Sequence, residues 1–416
     1  MRNLTRLFTS PLTLMALVIF IDFTGFGLAL PLLPFWALRL GAGPLALGAL
    51  TAVYAVAQLL FTPLLGALSD RVGRKPIIFC SLLIEAGAFA LTGLAGSLAL
   101  LFVARAASGL GASNIGSAQA VVADTTPAAS RARAMGAIGA AIGLGFVVGP
   151  ALGGVLAPLG PAVPFWAAAA VALLNALLVA LLLPETRRRA AGQPAPAARA
   201  ALLAGWGRAL RRPVVARLVA INLLYTIAFT GMETVFALLA QHRFGWGARQ
   251  TGFVFAYVGV LVVLMQGGLV GQFVRRWGER PLLVAGLALL ALGLVLLPWS
   301  ATLPMLLVAL GAIAVGDGAV SPVVSTLLSF AAPAEAQGET LGVAQGVASL
   351  GRLLGPLAAG SLYALAVWGP FVAGAGLALL ALALALPALA RRAPRPPRAT
   401  APIDPERAAA ELLTIR

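Results

Sequence analysis

The sequence predicts an all-α polytopic membrane protein with twelve spanning helices in two six-helix bundles. Three observations predict it. Hydrophobic residues make up 61% of the 416 positions and charged residues only 10%, where a soluble domain carries about 25% charged residues. Apolar runs near 20 residues, long enough to cross a bilayer as a helix, recur along the whole chain. The cations gather in alternate breaks between those runs, as expected when short Arg- and Lys-rich loops stay on one side of the membrane. The 47 glycines and 28 prolines fit helices in lipid, where both are tolerated.

The first bundle, residues 1–183, holds spans at 12–36, 46–68, 76–94, 97–118, 131–156 and 162–183. The second, 214–390, holds 214–238, 248–271, 282–298, 302–325, 337–362 and 366–390. Gly96 and Ser97 mark only a weak turn, but the apolar stretch around them is long enough for two passages. The first run exceeds signal-peptide length and shows no convincing small-residue cleavage site, so it reads as a retained helix. With both termini in the cytoplasm, Arg39, Arg243 and Arg249 are the only cations left on the outer side, and Arg105 and Arg352 lie inside spans. Residues 184–213, rich in Arg, Ala and Pro, read as a flexible cytoplasmic linker. Residues 391–416 form a cytoplasmic tail ending in IDPERAAAELLTIR, long enough for a short helix.

The formal charge of +16 does not indicate nucleic acid, because the cations sit between apolar runs and few aromatics interleave them. Anionic lipid headgroups are the expected counterpart. Cys80 is the only cysteine and His242 the only histidine, so an intramolecular disulfide is excluded and metal-ligand spacing is absent. There is no P-loop for ATP and no nucleophile–base signature, so neither a cofactor nor an enzyme is expected.

The most informative stretch is Gly66–Lys75, GALSDRVGRK. Arg71, Arg74 and Lys75 crowd beside Asp70, between two apolar runs. Two readings stand: a topology signal, or a charge network that latches two helix bundles together and releases them. Gly66, Asp70, Arg71, Gly73, Arg74 and Lys75 resemble the signature G-x-x-x-D-R-x-G-R-[RK] of the major facilitator superfamily, between its second and third helices. That resemblance implies the family's fold and alternating access. The halves echo each other: Gly271–Pro281, GQFVRRWGERP, is a degraded copy that lacks the Ser-Asp of the first. Internal repeats are common in transporters, with substrate near the repeat interface.

The fifth span is dense in glycine. Its spacing lets a facing helix approach closely, and Pro150 should bend it; ordinary packing is the plainer reading. Within it, Gly145, Gly149, Pro150, Gly153 and Gly154 resemble the antiporter motif G-x-x-x-G-P-x-x-G-G of facilitator drug exporters, a resemblance that implies export. The eleventh span repeats the design around Gly351, Gly355 and Pro356. ADTTP at 123–127, followed by Arg131 and Arg133, is similar to tetracycline-type exporters. Asp124 closes the fourth span, either facing the Asp70–Arg71 cluster or as a solvated interfacial acid.

Four acids fall deep inside the spans: Asp22, Glu85, Glu233 and Asp317. Such groups normally face a bundle interior and often relay protons. Asp22 is near half depth, in a setting that resembles the first helix of tetracycline and multidrug exporters; it is either the proton carrier or a structural partner of backbone and amide groups. Arg105, in R105-A-A-S-G109, resembles the family's R-x-x-x-G signature, which implies a part in proton coupling beside a structural alternative. Glu85 lies near mid-depth. Asp317 is expected to pair with Arg352, as coupling group or clamp. Glu233 reads as a solvated mouth residue, the least suited of the four.

Asn114, Gln119, Asn222, Tyr225, Tyr257 and Gln345 offer donors and acceptors for a cavity, and Phe26, Phe146 and Phe229 offer apolar walls. A largely apolar lining with sparse polar groups suits amphiphilic organic molecules. The expected function is therefore proton-coupled efflux of small amphiphiles or drugs, possibly tetracycline-like, by a monomer in a bacterial inner membrane. A metabolite or sugar facilitator and a lipid transporter are the alternatives.

Overall fold

The computed structural model describes residues 11–127, 130–186, 207, 211–333 and 337–390. Most of the expected linker and the whole expected tail, including its short helix, lie outside the described residues.

The described chain is helical throughout, and we number its passes α1 to α12. They are α1 (Pro11–Ala29, resumed by Leu33–Arg39), α2 (Pro44–Val72), α3 (Arg74–Leu94) and α4 (Leu98–Gly111, a 3-10 turn at Ala112–Asn114, then Ile115–Thr125). Next come α5 (Arg131–Leu156), α6 (Val163–Leu182), α7 (Pro213–Phe244) and α8 (Ala248–Leu264, a π turn at Met265–Leu269, then Val270–Trp277). The last are α9 (Glu279–Leu296), α10 (Leu303–Ala331), α11 (Gln337–Leu365) and α12 (Gly369–Ala390). Eleven passes are long and apolar enough to cross a membrane. α11 is 29 residues long but carries Glu339, Gln345, Ser349 and Arg352, which lower its hydropathy.

Local chemistry explains the ends. Pro31 lacks an N–H and interrupts α1. Ser97, expected as a weak turn, is an N-cap: the Leu100 N–H donates to its Oγ at 3.3 Å, so the third and fourth spans do separate. The polar break at Gly66–Lys75 is much shorter than expected. Nothing in GALSDRV stops a helix, so α2 continues through Val72, and Gly73 alone turns the chain into α3 with φ +117°. Only glycine adopts that conformation without strain. The second half repeats the corner, where Gly278 at φ +87° separates α8 from α9. The degraded copy has lost the acid but kept the turn.

Two buried clusters fill the first half, one around Met15, Ile78 and Val121 and one around Leu28, Phe89 and Phe165. The second half has a single core, which extends onto Leu33, Ala37, Leu47 and Leu50 of the first. The halves therefore share a core at one end. α2 packs on α11 there and α5 on α8.

Glycine surroundings show where the halves part. A Cβ on Gly154 of α5 would lie 2.9 Å from the Arg249 carbonyl oxygen, and one on Gly259 of α8 would lie 2.7 Å from that of Phe146. Gly48 of α2 meets Pro356 and Gly360 of α11. At the other end of the same four helices, Gly66, Gly136, Gly139, Gly267, Gly268 and Gly342 have nothing within 4 Å of that position. The halves touch at the end remote from Gly73 and Gly278 and stand apart at the end that carries them.

Candidate functional site

The site starts from two glycines on α4. A Cβ on Gly111 would lie 2.9 Å from the Glu85 Cβ, and one on Gly109 would lie 2.8 Å from the Ala57 Cβ and overlap the Tyr54 carbonyl. Their bareness lets α4 press on both α2 and α3. One turn before Gly109, Arg105 drops into the notch, its Cζ 4.5 Å from the centroid of the Tyr54 ring. This explains the R-x-x-x-G spacing physically: the glycine sets the helix contact that aims the arginine.

Glu85 is 2% exposed and Arg105 5%. Asp22 of α1 lies within electrostatic reach of Glu85. Arg105 acts on Glu85 electrostatically. Asp22 Oδ1, Glu85 Oε2 and Arg105 Nε are buried without a hydrogen-bond partner, an unusual state for polar atoms in a folded interior. The structure thus brings together three of the five proton-coupling candidates and adds Tyr54, which sequence reasoning missed. A tyrosine in a long apolar helix gives no signal until its neighbours are known.

The second half carries its own charged group. Glu233 is placed by α7 and Asp317 by α10, and Glu233 lies within the electrostatic reach of both Asp317 and Arg352. Tyr225, 8% exposed, lies within electrostatic reach of the same two charges. Glu233 itself is half-buried, and one expectation changes here. Arg352 and Asp317 form no ion pair with each other among the described residues.

At the open end Arg74 is the hub. Its Nη1 pairs with Asp70 at 2.8 Å, and its Nε donates to Asp124 Oδ2 at 3.3 Å. Asp124 therefore reaches the cluster through Arg74, while Arg71 is exposed. Glu185, a second residue that sequence reasoning missed, caps α3: its carboxylate accepts from the Arg74 N–H at 2.9 Å and the Lys75 N–H at 3.2 Å. A negative group at a helix N-terminus is favoured by both hydrogen bonding and the dipole. Its signal in the sequence was position alone, an acid just beyond a span end.

The glycine-rich α5 has two working faces. Cβ atoms on Gly145, Gly149 and Gly153 would all fall 2.6 Å from atoms of Phe23, Thr24 or Leu28 on α1, while Gly154 and the Pro150 carbonyl meet Gly252 of α8. One helix thus holds the Asp22 helix on one side and the other half of the molecule on the other. Pro150 sits inside a continuous helix.

Of the cavity candidates, Phe26 and Phe146 lie 6.0 Å apart, and Phe23 and Tyr54 extend the row. Tyr225 joins the second charged group, and Phe229 is partly buried. Asn114 is buried in the 3-10 turn of α4. Asn222 donates to the Ala344 carbonyl at 2.8 Å and Tyr257 to that of Leu307 at 3.1 Å, both ties between helices. Gln119 and Gln345 are exposed. Among the described residues, no group of three or more His, Cys, Asp or Glu is placed to hold a metal ion.

The family model described as Major Facilitator Superfamily matches residues 15–282 and 267–415. The chain is 33% identical over 387 residues to the tetracycline resistance protein, class C, of Escherichia coli, covering 90% of this chain and 94% of that one. It is 32% identical over 361 residues to multidrug resistance protein 1 of Bacillus subtilis (strain 168), covering 86% and 91%. The crystal structure of the human organic anion transporter MFSD10 (TETRAN) superposes with a TM-score of 0.70 at 26% identity, over 90% of this chain and 99% of that one.

Proposed function

Because the chain belongs to the Major Facilitator Superfamily of membrane transporters, we propose that it exports small amphiphilic organic molecules in exchange for protons, by alternating access. One observation carries this reading: a carboxyl pair, half-buried Asp22 and buried Glu85, beside the buried Arg105, with the Asp22 helix packed on α5 at the seam between the halves. One proton on that pair leaves a single carboxylate to balance Arg105, so the site carries no net charge and its exposure to the other side is less costly. Release of the proton restores a site with net negative charge. Aromatic faces at Phe23, Phe26 and Phe146 offer an apolar wall next to it.

The reading places the Gly73 and Gly278 corners in the cytoplasm, on the positive side, with both termini there too. The described arrangement is then the inward-open state. The Asp70–Arg74–Asp124 network would stabilise the opposite state when the cytoplasmic ends meet. The similarity to tetracycline and multidrug resistance proteins supports export of drug-like amphiphiles. The likeness to an organic anion transporter favours a second reading, but the mid-span charges, four acids against two arginines, favour a neutral or cationic cargo.

The test is a panel including tetracycline and ethidium, in proteoliposomes with an imposed pH gradient and a trapped pH dye. Substrate-induced proton movement is expected for the wild type and is expected to vanish in Asp22→Asn. Full proton movement in that variant, or counterflow of sugars and metabolites with none of the drugs, would overturn the assignment.

A further inference from the structure

Tyr54 is on α2, its ring centroid 4.5 Å from the Arg105 Cζ and 5.5 Å from the centroid of the tilted Phe26 ring. Its electrostatic neighbours come from every side: Asp22 on α1, Glu85 on α3, Arg105 on α4 and, across the seam, Arg352 on α11. Gly109 presses α4 onto the Tyr54 backbone itself, so the ring and the guanidinium are held in register by main-chain contact rather than by side-chain chance. A guanidinium over an aromatic face is attracted by the ring quadrupole, and more strongly when desolvated. Arg105 is 5% exposed and its Nε has no hydrogen-bond partner, which leaves the ring as its main lateral support.

We propose that Tyr54 is a positioning residue for proton exchange, its ring holding Arg105 against the Asp22–Glu85 pair. This rests on the proton-exchange reading above. Arg105 favours the ionised form of the pair while the ring keeps it close. Without the ring the guanidinium has room to swing toward water, and the pair takes up its proton more readily.

The test needs no transported substrate. The carbonyl band of protonated carboxyls is followed by pH-difference infrared spectroscopy of the protein in liposomes, with the pair identified as the component lost in Asp22→Asn and Glu85→Gln. Tyr54→Leu is expected to let the pair protonate at a roughly tenfold lower proton concentration, the scale on which a nearby cation acts on a carboxylate. Tyr54→Phe, which keeps the ring, is expected to match the wild type. In an Arg105→Ala background, Tyr54→Leu is expected to add nothing. Should Tyr54→Leu not purify as folded protein, Tyr54→Met removes the ring with less change in shape. A titrating pair indifferent to both ring-less variants, or a full shift persisting without Arg105, overturns the proposal. A pair that takes up no proton removes this proposal and the exchange reading together.

Discussion

Gly73 shows how much one residue decides. Its φ of +117° is open to glycine alone, and a Cβ there would collide with the Glu185 carboxylate that caps α3. Gly73→Ala is expected to cost about 1–3 kcal/mol in backbone strain and to expel the cap. The measurements are the thermal midpoint of purified protein and proteolysis of the α2–α3 corner; a midpoint equal to wild type would remove the strain argument. Glycine at this position was legible in the sequence as part of a motif. Its reason was not, because the partner carboxylate is 112 positions away and reaches it only through the packing of α6 on α3. Tyr54 was hidden for the same reason, whereas Asp22, Glu85 and Arg105 announced themselves by being charged in apolar runs.

At the scale of elements, α5 is shaped by what its glycines omit. Gly149 lies against the Thr24 carbonyl oxygen and Gly27 of α1, where a side chain has no room to turn aside because its neighbours are backbone. Gly149→Leu is expected to destabilise the first half by roughly 1–3 kcal/mol or more, as overpacking does. Its readout is a lowered thermal midpoint. Under the proposed exchange reading the variant should lose substrate-induced proton movement as well, since the displaced helix carries Asp22. An unchanged midpoint would mean that α1 and α5 do not depend on this contact. Twelve passes were legible from apolar length, and their order followed from charge. Their true ends were less so. α2 and α8 run on through sequences that look like loops, since the polarity of GALSDRV and GQFVRRW reflects the membrane surface rather than the end of the helix.

The whole molecule is an arrangement of two halves touching at one end, where Gly252 meets the Pro150 carbonyl oxygen and Gly154. A bulky wedge there should open that end and close the other. We expect Gly252→Trp to lower the labelling of a cysteine placed at Gly342, which has open space around it, by a membrane-impermeant thiol reagent. The exposed native Cys80 is first replaced by serine. Labelling that does not change would show that the two ends are not coupled. Asp70→Asn, by weakening the network on Arg74, is expected to raise labelling in the same assay.

By itself the sequence determined the membrane, the number of passes, the internal repeat and which side chains carry charge into lipid. These are properties of composition and period, and each is set by neighbours along the chain. The tertiary structure alone decided that Arg105 rests on Tyr54, that Glu185 caps α3, that Asp124 reaches Arg74, and which end stands open. Those contacts join helices far apart in sequence. Side chains that meet across a bundle leave no period in the chain, so only the packing of small residues, helix against helix, could select them.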